Sequence, residues 1–539
     1  MGNFRVPIPT NEPVWSYAPG SPEKELLVKA IAELKKTKID IPMVIGGKEI
    51  RVGNSIKITS PHNHALELGQ YYQGGKNEIQ MAVDAAMKAK KEWAEYPWEE
   101  RAAIFLKAAD LIAGPYRYQM NAAAMLAHSK NVYQAEIDAV CELVDFFRYN
   151  VYYAQVIYDV QPDNARGIWD RMDYRPLEGF IFAVTPFNFI SIGGNLPTAP
   201  AIMGNTVLWK PASSVVYTAH LIMNILKQAG LPDGVINLVT ARGADIGDIV
   251  LKNEHLAGIH FTGSTPVFQG MWRTVGENIA KYKTYPRIVG ETGGKDFIFA
   301  HNSADIDELA TAITRGAFEY QGQKCSAASR AYIPKSLWPR LKERLLSDLK
   351  QVKMGDVEDF GNFVNAIIDK GAYDTIVEYI DYAKKSNEAE IIWGGKYDST
   401  KGYFIEPTVV ITTNPHFRLM EEEIFGPVMT IFVYDDIEFA KTLELCDQTS
   451  PYALTGAVFA KDRNAIIQVS KALRNAAGNF YINDKPTGAV VGQQSFGGSR
   501  ASGTNDKAGS LLNIIRWTSP RAIKENFIPP KSFKYPFMG

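Results

Sequence analysis

A cysteine lies just beyond a helical run, with a glycine three positions ahead of it, in Phe318-Glu319-Tyr320-Gln321-Gly322-Gln323-Lys324-Cys325-Ser326-Ala327. Once deprotonated, a thiol held in such a loop is a nucleophile. Taken alone, a cysteine more often reads as a small buried hydrophobe. Five further segments carry polar groups with chemical potential: Thr185 to Phe189, Lys210 to Ser213, Phe261 to Thr265, Glu291 to Lys295 and Glu423 to Pro427. In the turn Phe261-Thr262-Gly263-Ser264-Thr265 the backbone N–H groups can face a pyrophosphate. Lys210 can hold ribose hydroxyls, and Glu423 and Phe425 offer a carboxylate and a ring to a ribose and a nicotinamide. Each has a plain counter-reading: a turn without G-x-G-x-x-G, a solvated lysine, an acidic surface turn.

These residues need elements to position them. Ile306, Leu309, Ala310, Ile313 and Ala317 recur at helical spacing from Ala304 to Phe318, and Gly322 suits the exit from that helix. Upstream, Pro22 to Lys36, Asn77 to Ala94, Trp98 to Ile112 and Gln134 to Tyr153 read as helices, the last placing Cys141 on a packed face. Gln161 to Pro176 breaks that pattern and reads as a hairpin. From Gly179 strands and helices alternate: Phe180 to Thr185, Thr206 to Lys210, Val235 to Thr240, Gly258 to Phe261 and Arg287 to Gly290 are the strands. A second alternating block carries Phe297 to Ala300, Ser329 to Ile333, Phe404 to Val410, Val428 to Val433, Thr455 to Phe459 and Gly478 to Ile482, with Leu511 to Trp517 strand-like in the tail. Alternation of this kind predicts doubly wound parallel sheets with ligands at the carboxyl ends of their strands.

Composition sets the outer limits. The chain has 539 residues, 46% hydrophobic and 22% charged, enough for two or three domains. Its net charge of −1 gives no pull toward nucleic acid or an anionic membrane, and no apolar run approaches spanning length. Three scattered cysteines and eight histidines argue against a disulfide framework and a zinc site, so no metal is expected. The opening residues read as neither a signal peptide nor an organellar leader, which makes the cytoplasm the expected compartment and a processed mitochondrial matrix form the alternative.

Taken together and in order, Asn188, Lys210, Gly263-Ser264, Glu291 before two glycines, Gly322 to Cys325 and Glu423 to Pro427 resemble the aldehyde dehydrogenase superfamily, from about residue 60 to the C-terminus. The resemblance implies an α/β fold: a Rossmann-like NAD-binding domain (1–160 and 179–290), an α/β catalytic domain (291–507), and a small β oligomerisation arm with tail (161–178 and 508–539). The arm would join the hairpin to the tail strand and build a homodimer or higher homo-oligomer. Implied catalytic residues are the nucleophile Cys325, the base Glu291 and the oxyanion donor Asn188. NAD would be held by Thr185, Lys210, Gly263, Ser264, Thr265, Pro266, Val267, Glu423 and Phe425.

Finer motifs narrow the resemblance. They are Phe187 and Thr292 at variable places, Ser191 to Leu196, Phe318 to Ser326, Ala476 to Asn483, Thr487 to Gly498 and Ala501 to Lys507. They resemble the branch that oxidises L-glutamate γ-semialdehyde to L-glutamate in proline catabolism. That branch implies a carboxylate anchor of Ser326 with the backbone of Gly488 and Ala489, and walls of Phe189 and Phe496. Ser213 stands where many NAD-specific relatives carry a glutamate, so some NADP use is permitted. The competing readings are a succinate semialdehyde oxidase and a cysteine hydrolase without a dinucleotide. The hydrolase lacks a histidine base among the matched motifs.

Overall fold

The computed structural model describes residues 4–539. Two seven-stranded sheets organise it. The first runs Arg287–Glu291, Leu256–Thr262, Phe180–Val184, Thr206–Lys210, Ile236–Leu238, Met43–Ile45, Lys48–Ile50. Its first five strands are parallel, and the last two are an antiparallel pair from the N-terminal region. Near-continuous burial along Phe180–Val184 and Leu256–Thr262 fits strands covered on both faces. The second sheet runs Ala389–Trp393, Thr408–Thr412, Val428–Tyr434, Ala328–Pro334, Asp296–Ala300, Thr455–Phe459, Asn479–Ile482, parallel except at its first strand.

The helix Ile306–Phe318 delivers the cysteine loop. Asp305 caps it by accepting from the N–H groups of Asp307 and Glu308, at 3.0 and 3.3 Å. Leu309, Ala310, Ile313 and Ala317 bury the predicted face against Ile298, Ala331 and Ile431 of the second sheet. The chain leaves the helix through three successive left-handed residues: Tyr320 (φ 50°), Gln321 (φ 57°) and Gly322 (φ 66°). Only the glycine is at ease there, and each of the other two costs about 1–2 kcal/mol. Buried hydrogen bonds oppose that cost. Gln321 Nε2 donates to the carbonyls of Ser129 (3.0 Å) and Ala366 (2.8 Å), and Gln323 Oε1 accepts from Ile368 N–H (2.9 Å).

Three expectations need correction. Gln161 to Pro176 is no local hairpin: Ile168–Pro176 pairs antiparallel with Thr518–Asn526, some 350 residues away. Leu511 to Trp517 is not a strand. Leu511–Ile514 is helical, capped by Ser510, and leads through a 3-10 turn that buries Trp517, so the arm strand begins one residue later. Phe404 to Val410 is two strands, Phe404–Ile405 and Thr408–Thr412, in different sheets and separated by Pro407. The helix expected from Gln134 to Tyr153 is present, with a π-helical segment at Glu136–Glu142. The helix Arg117–His128 and the hairpin Asn54–Ser60 with Asn63–Gln73 were not anticipated.

Candidate active site

Strand register brings the first group of residues together. Lys210 pairs with Val184, Val184 with Phe261, and Glu291 with Thr262. Thr185, Lys210, Gly263 and Glu291 therefore share one carboxyl edge, adjacent strands standing about 4.8 Å apart. The Thr185 hydroxyl accepts from Trp209 Nε1 (3.0 Å), and its N–H donates to the Lys210 carbonyl (3.1 Å). Burial holds the Lys210 ammonium below its usual pKa.

The turn after Leu256–Thr262 presents backbone at this edge. A Cβ on Gly263 would meet the Phe261 ring at 2.7 Å, so the residue has room for no side chain. Thr265 and Pro266 then open the helix Thr265–Glu277, with Val267 half exposed beside them. Across the junction, Glu423 Oε1 accepts from Gly294 N–H at 2.8 Å, and a Cβ on Gly293 would strike that carboxylate. Burial raises the Glu423 carboxyl to about 7, against Gly294 N–H and Lys295, which lower it. Phe425 is left-handed (φ 59°) and sets its ring edge-on to Phe187, centroids 5.6 Å apart. A bare glycine turn at a helix N-terminus, an exposed aliphatic beside it and a carboxylate across the edge fit a dinucleotide.

Cys325, Glu291, Ser326, Phe189, Gly488, Ala489 and Phe496 line one cavity of about 370 Å³. Cys325 is 8% exposed, more enclosed than a surface loop suggests. Its thiol is pushed well up by burial and then by the carboxylates of Asp296, Glu291 and Glu423, while its own N–H works the other way. Glu291 is also raised by burial, with Lys507 and the Gly498 backbone opposing, and its Oε2 has no partner among the described residues. That oxygen is free to accept from a water. Ser326 Oγ lies 2.8 Å from Thr487 Oγ1. Among the described residues no acceptor takes the N–H of Gly488 or Ala489.

The structure adds residues that the sequence did not mark. Lys130, fully buried, pairs with Asp138 (2.8 Å) and donates to the Asn188 carbonyl (2.8 Å), with the Tyr320 ring 3.9 Å away. Asp138 accepts from the N–H groups of Ile190 and Ser191, both at 3.0 Å. The segment carrying Asn188 and Phe189 is thus pinned from the helix–π-helix region. Glu142, on that region, lines the cavity and accepts from Ser191 Oγ (2.9 Å). Burial and then Asp138 lift its carboxyl to about 8. Cys141, expected to be structural, is buried and also lines this cavity. No group of His, Cys, Asp and Glu with metal-holding geometry occurs among the described residues, and no helix there is long and apolar enough to cross a membrane.

Comparison with known proteins agrees with this geometry. The family model described as "Aldehyde dehydrogenase family" matches residues 50–522. A mitochondrial delta-1-pyrroline-5-carboxylate dehydrogenase of Dictyostelium discoideum is 54% identical, over 99% of this chain and 96% of its own. The Homo sapiens protein of the same name is 47% identical, over 98% of this chain and 94% of its own. A crystal structure of the Mycobacterium tuberculosis delta-pyrroline-5-carboxylate dehydrogenase bound with NAD superposes with a TM-score of 0.96 at 52% identity, covering 99% of both chains. The family match over most of the chain agrees with a carboxylate and a glycine turn at one sheet edge and a thiol sharing the carboxylate's cavity, and the chain belongs to the aldehyde dehydrogenase family.

Proposed function

We propose that the chain oxidises L-glutamate γ-semialdehyde, in equilibrium with Δ1-pyrroline-5-carboxylate, to L-glutamate with NAD, the second step of proline degradation. One observation carries this reading. The cavity that holds Cys325 and Glu291 also holds Ser326 and two unclaimed backbone N–H groups, at Gly488 and Ala489. That is a nucleophile, a base and a carboxylate receptor in one enclosure. Relatives named for this activity at 47–54% identity, over nearly their whole length, support it.

The chain's residues divide the work. Cys325 thiolate attacks the aldehyde carbon, forming a C–S bond and leaving the carbonyl electron pair on oxygen. The Asn188 side-chain amide and Cys325 N–H receive that oxyanion, and losing one such donor costs about a hundredfold in rate. When bound, NAD supplies the acceptor for the aldehyde hydride. The acyl group is left as a thioester on Cys325. Glu291 then takes a proton from the water that attacks this thioester, releasing the acid and the thiolate. Thr185, Lys210, the turn Gly263 to Val267, Glu423 and Phe425 would hold the dinucleotide. Ser326 and the 488–489 backbone fix the substrate carboxylate, and Phe189 and Phe496 enclose its methylenes.

Supporting assignments follow the same reading. Residues 1–160 and 179–290 form the NAD-binding domain, 291–507 the catalytic domain, and 161–178 with 508–539 the oligomerisation arm. The arm pair leaves two strand edges to be covered, which favours a homodimer or higher homo-oligomer. The word mitochondrial in several relatives' names favours the matrix over the cytoplasm. Steady-state NADH formation with a panel of aldehydes tests the substrate. Higher kcat/KM for glutamate semialdehyde than for succinate semialdehyde is expected, and the reverse order overturns the assignment. Light scattering on the purified chain tests the oligomer, and a monomer at micromolar concentration would remove that part.

A further inference from the structure

A strap from the N-terminus reaches the substrate cavity. Val6 N–H donates to Gln155 Oε1 (2.7 Å), and Glu12 is gripped by Arg117 (2.6 Å) and Arg148 (2.8 Å). Asn11, Glu12 and Val14 lie in the cavity wall. Asn11 joins three elements. Its Nδ2 donates to Asp145 Oδ2 and to the Val491 carbonyl, both at 2.8 Å, and its Oδ1 accepts from Gln493 Nε2 at 2.9 Å. The loop it grips, 487–494, is the one whose residues Gly488 and Ala489 line the cavity and whose N–H groups at those two positions have no acceptor among the described residues. Gly492 (φ 80°) sits against the Tyr149 ring with no room for a Cβ, so loop and helix are fitted together at a second point.

We propose that the strap is a specificity device, with Asn11 as a positioning residue that sets the 487–494 loop where its backbone can receive the substrate carboxylate. The proposal rests on the carboxylate-anchor reading given above. An unclamped loop would still leave Cys325, Glu291 and the dinucleotide edge in place, because none of them is held by the strap. Loss of the clamp therefore weakens binding of aldehydes that carry a carboxylate and spares those that do not.

The test uses the full chain carrying Asn11→Ala. The substitution removes both of the strap's bonds to the loop, so KM for glutamate semialdehyde is expected to rise about tenfold with kcat within about twofold. KM for hexanal and for NAD stays put, and amide exchange quickens in 487–494 while the 322–326 peptide is unchanged. An unmoved semialdehyde KM, an equal rise for hexanal, or unchanged exchange in the loop overturns the proposal. If the variant is insoluble, Gln493→Ala removes one of the two bonds between Asn11 and the loop and leaves those to Val491 and Asp145. It is expected to raise the same KM about threefold, and no rise counts against the strap. Should the unaltered enzyme oxidise hexanal but not the semialdehyde, the substrate assignment fails, and the exchange comparison still judges the clamp.

Discussion

Lys130 Nζ donates to the backbone carbonyl of Asn188 at 2.8 Å, so a buried ammonium fixes the residue proposed above as the oxyanion donor. The same ammonium meets Asp138, which in turn holds the backbone N–H groups of Ile190 and Ser191. Lys130→Met leaves Asp138 without its cation, and breaking a buried pair costs about 3–5 kcal/mol. A lower denaturant midpoint is expected, together with a fall in kcat of about tenfold as Asn188 loses its tether. Retention of full kcat would show that Lys130 serves the fold alone.

In the proposed mechanism Glu291 acts only after the thioester has formed. Glu291→Gln should form the thioester and then stall, because the amide cannot take the water's proton. Rapid mixing should show a burst of NADH equal to the enzyme present, followed by turnover reduced about 100- to 10,000-fold. Absence of a burst would place Glu291 before acylation.

The pH dependence has a definite sign. Burial and three carboxylates raise the Cys325 thiol, and Asp296 is the largest of the three. The nucleophile is the deprotonated form, so acylation is lost as pH falls and gained as it rises through the raised value. Asp296→Asn keeps an oxygen for the Thr455 N–H, now bonded at 2.7 Å, and removes the charge. The acid limb of kcat/KM should therefore move to lower pH. Asp296 is itself raised well above its usual range, so its ionisation destabilises the fold as pH rises past the unfolded value. The variant should accordingly lose no thermal stability at pH 8. A limb that stays put removes Asp296 from the account of the thiol.

Gly322 links the nucleophile loop to the cofactor edge. Its φ is +66°, and a Cβ there would run into the Gly426 carbonyl. Gly322→Ala should cost about 2 kcal/mol or more from backbone strain and overlap. Because Gly426 follows Phe425, the KM for NAD should rise as well. A destabilised variant with normal NAD affinity would show that the two loops move independently.

The parallel strands and the helix before Cys325 were readable because local patterns carry them: alternating units, a helical stripe, a glycine at the exit. What escaped has partners far along the chain. Nothing in the residues around Lys130 announces a hydrogen bond to a carbonyl 58 positions away, and Asp138 works through backbone N–H groups more than 50 positions on. Thr518–Asn526 is mostly exposed and carries few apolar residues, so no periodicity marks it as a strand; its partner makes it one. The apolar run before it reads as a strand because a capped helical turn and a short strand can both bury such residues. The left-handed pair Tyr320 and Gln321 was equally hidden, since neither type favours that conformation.

The bond from Asn11 to Val491 spans 480 residues. At about 5–20 residues per second, tens of seconds separate the two on the ribosome. During that interval the strap has its helix partners but not the loop it clamps. The cavity wall around Cys325 closes only when nearly the whole chain has emerged, so a growing polypeptide exposes its thiol before it can select an aldehyde for it.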